Sequence, residues 1–378
     1  MGVLQHGGRP VLLAAGGTGG HLFPAQSLAE ELQRRGASVH LITDARGGRY
    51  QGKFPADAVH VVASDTFRGR NPIALARTLW RIGSGVVASM RLMLKLKPAV
   101  LVGFGGYPSF PPLAAAWLLR IPTCLHEQNA VMGRANRALG RRATAIATSF
   151  PETAMVEARA RSKVTHTGNP VRSNVVEAAR SPYVAPDPAG AFNLLVFGGS
   201  QGARIFSDVV PGTIARLDKD LQARLHVTQQ VRGEDLERVG MYYRELGIKA
   251  EVAAFFGDLP ARIAKSHLVV ARSGASTVAE LAAIGRPAIL VPLPHALDND
   301  QLMNASALAR AKAAWVLPQS SFTPHKLADE LTRLMNAPDM LVNAAGAAQR
   351  LGRLDAVAKL ADLVLRLAQT RTKTGDAA

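Results

Sequence analysis

The sequence predicts an α/β protein made of two parallel-sheet halves, and three observations carry that prediction. Short apolar runs of strand length alternate with stretches of helical periodicity. Two of the runs end in a cluster of glycines that opens a helix, one at Gly16 and one at Gly198. The length, 378 residues, suits about two domains.

The elements follow in order. Residues 11–15 (VLLAA) are continuous and apolar, as a buried parallel strand requires. Gly16, Gly17, Thr18, Gly19 and Gly20 come next. Helical periodicity holds over 22–35, with Pro24 in the first turn and Gly36 as the stop. A strand at 38–43 completes a βαβ unit with its right-handed crossover. Residues 99–103 repeat the strand, and a loop rich in Gly and Pro runs through Pro112 to a helix ending at Arg120. A strand at 123–126 precedes a helix from about Met132. Residues 193–197 restart the pattern before Gly198, Gly199, Ser200, Gln201, Gly202 and Ala203. Strands follow at 226–231, 268–271 and 288–291, the last two separated by a helix from about Thr277. Residues 181–190 contain Pro182, Pro186 and Pro188 and read as the linker between the halves. The last long helix is predicted at 355–369, with a frayed polar tail beyond Thr370.

Composition narrows the class. A 48% hydrophobic fraction against 19% charged residues excludes a largely disordered chain. Lys and Arg number 45 against 28 Asp and Glu, so the net charge of +17 directs the protein toward anions: nucleic acid, phosphorylated ligands or an anionic membrane. The single cysteine, Cys124, excludes an internal disulfide framework and a Cys-rich zinc site, and suits a reducing compartment. No apolar run reaches the ~20 residues that span a bilayer. The run at 11–15 is too short for a secretory signal core. A cytosolic protein with at most peripheral membrane contact is expected.

A glycine loop at a helix N-terminus presents unbonded N–H groups and the positive end of the helix dipole, a natural seat for phosphate. Glycines also permit tight strand-to-helix turns with no ligand. Two such loops on so basic a chain favour a phosphorylated ligand. The dinucleotide fingerprint fits in part: Gly17 and Gly19 match and Asp44 resembles the ribose acid, but Leu22 stands at the third glycine. No Gly-Lys-Ser/Thr is present for a P-loop.

Longer stretches are more specific. They are 16–25 (GGTGGHLFPA), 103–109 (GFGGYPS), 126–129 (HEQN), 168–172 (GNPVR), 198–203 (GGSQGA), 273–280 (SGASTVAE) and 292–301 (PLPHALDNDQ). In that order they resemble the MurG family of N-acetylglucosaminyltransferases, which convert lipid I to lipid II in peptidoglycan synthesis. The resemblance runs from about Val11 to about Leu365. It implies a GT-B fold, two Rossmann-like domains facing each other across a cleft. Residues 1–175 would form the acceptor and membrane-facing domain, and 176–350 the UDP-sugar domain. Residues 351–378 would form a helix packing back across the junction, with its tail.

The resemblance also implies roles. UDP-N-acetylglucosamine would be the donor and the undecaprenyl-diphosphate-linked muramoyl-pentapeptide, lipid I, the acceptor. No cofactor, metal or nucleic acid is expected. Thr18, Gly19, Gly20, Ser200 and Arg172 would serve charged or phosphorylated groups. Ala275, Ser276, Thr277, Val278, Ala279 and Glu280 would hold the nucleotide, with Ser276 and Thr277 able to cap the helix and Glu280 on the ribose hydroxyls. Phe256 matches the position whose backbone reads uracil, and Gln301 the glutamine that contacts the sugar.

Inversion requires a base for the muramoyl O4 proton. His21 is the first candidate, because the positive end of a helix dipole disfavours imidazolium; it could instead cap the helix or contact phosphate. His126 and Glu127 are the alternatives, with Asn129 as a positioning group. Asp298-Asn299-Asp300 spells a metal-binding Asp-x-Asp, but adjoins Gln301 in the matched motif and reads as sugar-binding.

Residues 71–97 hold no acid and mix Ile73, Leu75, Leu79, Trp80, Ile82, Val86, Val87, Met90, Met93 and Leu94 with Arg77, Arg81, Arg91, Lys95 and Lys97. That suits an anionic bilayer surface, here the cytoplasmic face of the inner membrane, or a plain surface helix with its apolar side in the core. Arg134, Arg137, Arg141 and Arg142 would extend the positive patch. Lys312 stands where the family pattern has a glycine. Two rival classes are a nicotinamide oxidoreductase, for Asp44 and the first loop, and a nucleic-acid binder, for the charge. The second glycine loop counts against the former, and 5% aromatics against the latter.

Overall fold

The computed structural model describes residues 8–16, 18–45, 47, 54–64, 72–199 and 202–375. Ser200, Gln201, Gly17 and Asn71 lie outside them. The elements in chain order are β1 (Val11–Ala14), α1 (Gly19–Arg34), β2 (Val39–Thr43), β3 (Ala58–Val61), α2 (Pro72–Leu96), β4 (Val100–Gly103), α3 (Phe110–Leu118), β5 (Thr123–Glu127), α4 (Arg134–Gly140), β6 (Ala145–Thr148) and β7 (Val164–His166). There follow α5 (Ser173–Ala178), β8 (Phe192–Phe197), α6 (Arg204–Ile214), α7 (Lys219–Arg224), β9 (Leu225–Gln230), α8 (Leu236–Glu245), β10 (Lys249–Ala253), α9 (Leu259–Lys265), β11 (Leu268–Ala271), α10 (Ala275–Ile284), β12 (Ala288–Leu290), α11 (Asp300–Arg310), β13 (Ala314–Val316), α12 (Pro324–Met335), α13 (Pro338–Leu351) and α14 (Ala356–Gly375).

The chain divides into two units. The first combines the N-terminal segment through Arg172 with the C-terminal segment from Leu354; the second is Ser173–Arg353. The expected boundaries stood at 175 and 350.

The first unit holds a seven-stranded parallel sheet in the order β3-β2-β1-β4-β5-β6-β7. Successive side chains of a strand point to opposite faces. Val11 and Leu13 of β1 therefore join Leu28 and Leu32 of α1 and Leu360 and Val364 of α14 in one core. Leu12 and Ala14 join Met93 of α2 and Leu113 of α3 in the other. Each fully buried Leu contributes roughly 1.5–3 kcal/mol. The Arg35 guanidinium lies 2.6 Å from Asp362, an ion pair between the start and the end of the unit.

The second unit holds a six-stranded parallel sheet in the order β10-β9-β8-β11-β12-β13. Phe192, Leu194 and Val196 of β8 pack with Phe206 and Val210 of α6 and Leu331 of α12. In both units the sequence of strands reverses direction beside the first strand, β1 or β8. Ligands of open α/β sheets bind beyond the carboxyl ends of the strands at such points.

Several expectations are corrected. Residues 181–190 are no linker but lie inside the second unit. Arg286 donates to the carbonyls of Ser181 and Pro182, and Arg224 to those of Asp187 and Gly190. The helix expected from Leu22 begins at Gly19, so Pro24 sits past the first turn. The helix expected from Thr277 begins at Ala275. The tail expected beyond Thr370 continues as helix to Gly375.

Candidate active site

The first unit gathers its candidate residues at the carboxyl ends of β1, β4 and β5. Thr18 caps α1 with extended backbone, and its carbonyl accepts from His21 N (3.0 Å) and Leu22 N (2.9 Å). It makes no side-chain cap, and no acid occupies the first turn, so no side chain of that turn offsets the positive end of the dipole. A Cβ on Gly20 would meet no atom within 4 Å, so the protein's own packing does not require glycine there. His21 follows on the same turn. Gly105 and Gly106, with φ of +80° and +71°, wrap its ring, and a Cβ on Gly106 would lie 3.1 Å from Cδ2 and Nε2 of His21. Ser109 Oγ ties this wall down by donating to the carbonyls of Ala14 and Gly105.

Behind His21 runs a chain of hydrogen-bonding groups. His21 Nδ1 lies 3.1 Å from Gln128 Oε1, and Gln128 Nε2 lies 2.9 Å from His126 Nδ1. His126 Nε2 lies 3.2 Å from the Gly168 carbonyl. His126 is wholly buried against Phe104, and that burial pulls its imidazole down to about 4. Glu127 is buried as well. Its Oε1 accepts from Asn129 N (3.0 Å), and its Oε2 from Gly133 N and Asn136 Nδ2, both at 2.8 Å. Burial raises its carboxyl, and these donors hold it back. His126 and Glu127 thus lie beneath the surface, while His21 is half-buried. Arg172 lies 4.3 Å over the ring of Phe23, two residues beyond His21 on α1. Cys124 is buried, its thiol pushed up to about 12, an inert packing group.

The second unit builds another such edge. After β8, a Cβ on Gly198 would sit 2.3 Å from Ala203 N, and Gly202 N donates to Gly199 O at 3.0 Å, so the loop turns back on itself into α6. Ser200 lies outside the described residues. Gln230 ties this loop to the next one: its Oε1 accepts from Gly198 N and its Nε2 donates to Ala254 O. Phe256 follows, buried, with the Arg262 guanidinium 4.3 Å over its ring.

After β11 comes α10. Its N-cap is Gly274, with no side-chain cap and no acid in the first turn. Ser276 and Thr277 are therefore not caps but first-turn residues beside Ala275, Val278 and Ala279. Ser276 Oγ is buried without a hydrogen-bond partner. Glu280 is buried at the start of the second turn. Ser273 Oγ donates to Gln301 O at 2.8 Å, so α10 and Gln301 are held together. Gln301 Oε1 accepts from Leu293 N, which fixes the acceptor end of its amide against the backbone. His295, Asp298 and Asn299 in the same loop all have left-handed backbone. Asp300 Oδ1 accepts from Gln301 N. Among the described residues, no three His, Cys, Asp or Glu side chains gather as a metal site.

Gln128 and Arg272 were not singled out from sequence. Gln128 falls inside the HEQN stretch and could have been found as the residue after a strand end flanked by two candidates. Arg272 directly follows β11. Its buried guanidinium, held below its usual range by desolvation, donates to Val291 O and Pro292 O at 3.1 Å each. It thereby fixes the loop that leads to Gln301.

Two parallel sheets with helix N-termini at their carboxyl edges are the two halves of a GT-B fold. The N-terminal domain of glycosyltransferase family 28 matches residues 11–148 and its C-terminal domain matches 193–363, and the chain belongs to this family. It is 54% identical over 363 residues to the UDP-N-acetylglucosamine--N-acetylmuramyl-(pentapeptide) pyrophosphoryl-undecaprenol N-acetylglucosamine transferase of Rhizobium etli, covering 96% of each chain. It is 56% identical over 358 residues to the enzyme of that name from Rhodopseudomonas palustris, covering 95% of this chain and 98% of that one. Among solved structures, Acinetobacter baumannii MurG matches with a TM-score of 0.77 at 29% identity, over 95% of this chain and 99% of that one. A UDP-GlcNAc 2-epimerase from Neisseria meningitidis matches at 0.65 and 13% identity, over 94% of this chain and all of that one, a likeness of fold alone.

Proposed function

We propose that the protein transfers N-acetylglucosamine from UDP-N-acetylglucosamine to the muramoyl O4 of lipid I, giving lipid II. The observation that carries this reading is end-to-end similarity to transferases of that name, at 54% identity over 96% of the chain. The second unit takes the donor. Backbone around Phe256 meets the uracil, Glu280 accepts the ribose hydroxyls, and Gln301 donates to the sugar. The diphosphate, which gains charge as the C1–O bond breaks, lies against the uncapped first turn of α10 (275–279) and the loop that includes Ser200. Amide dipoles fixed in advance stabilise that charge without reorganising.

The first unit takes the acceptor. Thr18, Gly19 and Gly20 present backbone to it, Asn129 positions it, and Arg172, stacked on Phe23, offers a fixed cation to phosphate. His21 Nε2 accepts the O4 proton as O4 attacks C1 in line, and the anomeric centre inverts. His126 and Glu127 act from beneath: His126 through Gln128, and Glu127 by holding the Asn129–Gly133 turn. Charge neutralisation by fixed amide dipoles needs no metal ion.

Among the described residues, no helix is long and apolar enough to cross a membrane. α2 has one side in the core and another exposed. Met93 is in the core, while Trp80, Val87 and Leu94, seven residues apart, form an exposed apolar stripe beside Arg81, Arg91 and Lys95. Trp80 is 77% exposed. We place the acceptor's lipid chain in an anionic bilayer, the cytoplasmic face of the inner membrane, with this stripe at its surface.

The test is transfer of labelled sugar from UDP-N-acetylglucosamine to a short-chain lipid I analogue, with and without EDTA. Product with an inverted glycosidic bond is expected in both samples. No product from purified, folded protein overturns the function. Product only without EDTA overturns the metal-free mechanism alone.

A further inference from the structure

The amide of Gln128 has only one orientation open to it. Its Nε2 lies 2.8 Å from the backbone carbonyl of His126. A carbonyl only accepts, so this end of the amide is the NH2 group. Its second hydrogen points at His126 Nδ1, 2.9 Å away, which must then carry a lone pair. The far end of the same ring agrees. His126 Nε2 faces the Gly168 carbonyl, another pure acceptor, and so bears the ring proton. Every bond in the chain now runs from donor to acceptor. The remaining amide atom, Oε1, can only accept, and it lies 3.1 Å from His21 Nδ1. His21 Nδ1 must therefore bear the hydrogen. A neutral imidazole has one N–H, so Nε2 is the basic nitrogen.

A second, independent feature serves the same atom. The wall along the Nε2 edge of His21 is backbone of Gly105 and Gly106, held left-handed where a side chain is disfavoured. A Cβ on Gly106 would press directly on Nε2. The edge that Gln128 makes basic is also the edge that these two glycines face.

We propose that Gln128 is a positioning residue that holds His21 in its Nδ1–H tautomer and so presents Nε2 as the proton acceptor. An unrestrained imidazole prefers the opposite tautomer. Gln128 is anchored at one end by two backbone carbonyls, those of His126 and Gly168, through His126. This explains why a wholly buried histidine lies behind a half-buried candidate base. Among the described residues, His126 faces His21 through Gln128, and its bonding requires it neutral. The proposal rests on the reading of His21 as the base.

The test uses the full-length protein, uniformly 15N-labelled, with the His21 signals assigned by their loss in His21→Gln. Long-range 15N–1H correlation reads which ring nitrogen carries the proton. Wild type should show Nδ1–H at His21, and Gln128→Leu should shift it toward Nε2–H. In Gln128→Leu, kcat should fall about 10- to 100-fold with the donor KM within twofold. Gln128→Glu places a carboxylate against His21, so the acid limb of its kcat profile should move about 1–2 pH units upward. A merely structural role moves neither the tautomer nor the acid limb. An unchanged Nδ1–H in Gln128→Leu, or an unmoved acid limb in Gln128→Glu, overturns the proposal. A shifted tautomer with kcat within twofold of wild type upholds the action of Gln128 on the ring and overturns His21 as base instead.

Discussion

Lowering the pH from 7 to 4 should destabilise the first unit through one buried ring. His126 meets Gln128 NH2 at one nitrogen and donates to the Gly168 carbonyl from the other, so a second proton at Nδ1 must displace the amide. Burial pulls its folded-state value to about 4, His21 adds slightly, and the Gly168 carbonyl opposes both. In the unfolded chain the ring titrates near 6.5. Above that pH neither state is protonated, and the group makes no difference. Between 6.5 and about 4 only the unfolded chain takes up the proton, so stability falls by about 1.4 kcal/mol per pH unit. The loss reaches about 3 kcal/mol and then levels off. Urea unfolding of a Trp315→Phe chain isolates this unit, since Trp80 and Trp117 are then the only tryptophans. The stability gap between that chain and its His126→Asn derivative should narrow by about 3 kcal/mol from pH 7 to 4. His40, His60 and His267, also lowered by burial, bend both curves alike. Parallel curves would refute the reasoning.

Other outcomes follow from particular contacts. Lys312 sits at φ +61°, where its Cβ is strained, so Lys312→Gly should stabilise the second unit by about 1 kcal/mol and raise its Tm by about 2–4 °C; a lower Tm would contradict this. Gly198→Ala drives a Cβ into Ala203 N and should cost about 3 kcal/mol, whereas Gly20→Ala meets nothing, keeps its Tm and raises the acceptor KM. A Tm loss of equal size in both variants would show that the loops are not shaped as described. Trp80→Glu should weaken sedimentation with phosphatidylglycerol vesicles about 10- to 100-fold while sparing turnover of a short-chain acceptor; unchanged sedimentation would remove α2 from the membrane surface.

The fold was legible where burial on both faces leaves an unbroken apolar run. β1, β4, β8 and β11 were all found to within a residue for this reason. The edge strands β3 (AVHV), β7 (VTH) and β10 (KAEVA), which are half-exposed and mix polar residues into the run, were not, nor were the short strands β13 (AWV) and interior β6 (AIAT). Helix starts were missed by two or three residues at α1 and α10. There the caps are Thr18, which uses only its backbone, and Gly274, which has no side chain, so the expected capping signal is absent. Prolines at 182, 186 and 188 imitated a linker because the carbonyls they expose are satisfied from afar by Arg224 and Arg286. At the site, His21 could be picked out by its place on a helix start. Gln128 could be reached only as a position between two candidates in the HEQN stretch, not as a role, because that role lies in which of its two amide ends faces which ring, and only coordinates fix that.

The ion pair between Arg35 and Asp362 joins stretches that flank the entire second unit in the sequence. During synthesis, then, the lobe begun earliest is the one finished latest. Its sheet waits with one flank bare until the closing helix arrives, while the inserted lobe already has every strand it needs. Unfinished chains would expose Leu28 and Leu32 in that interval, so helpers that shield greasy surfaces should engage the opening lobe rather than the inserted one.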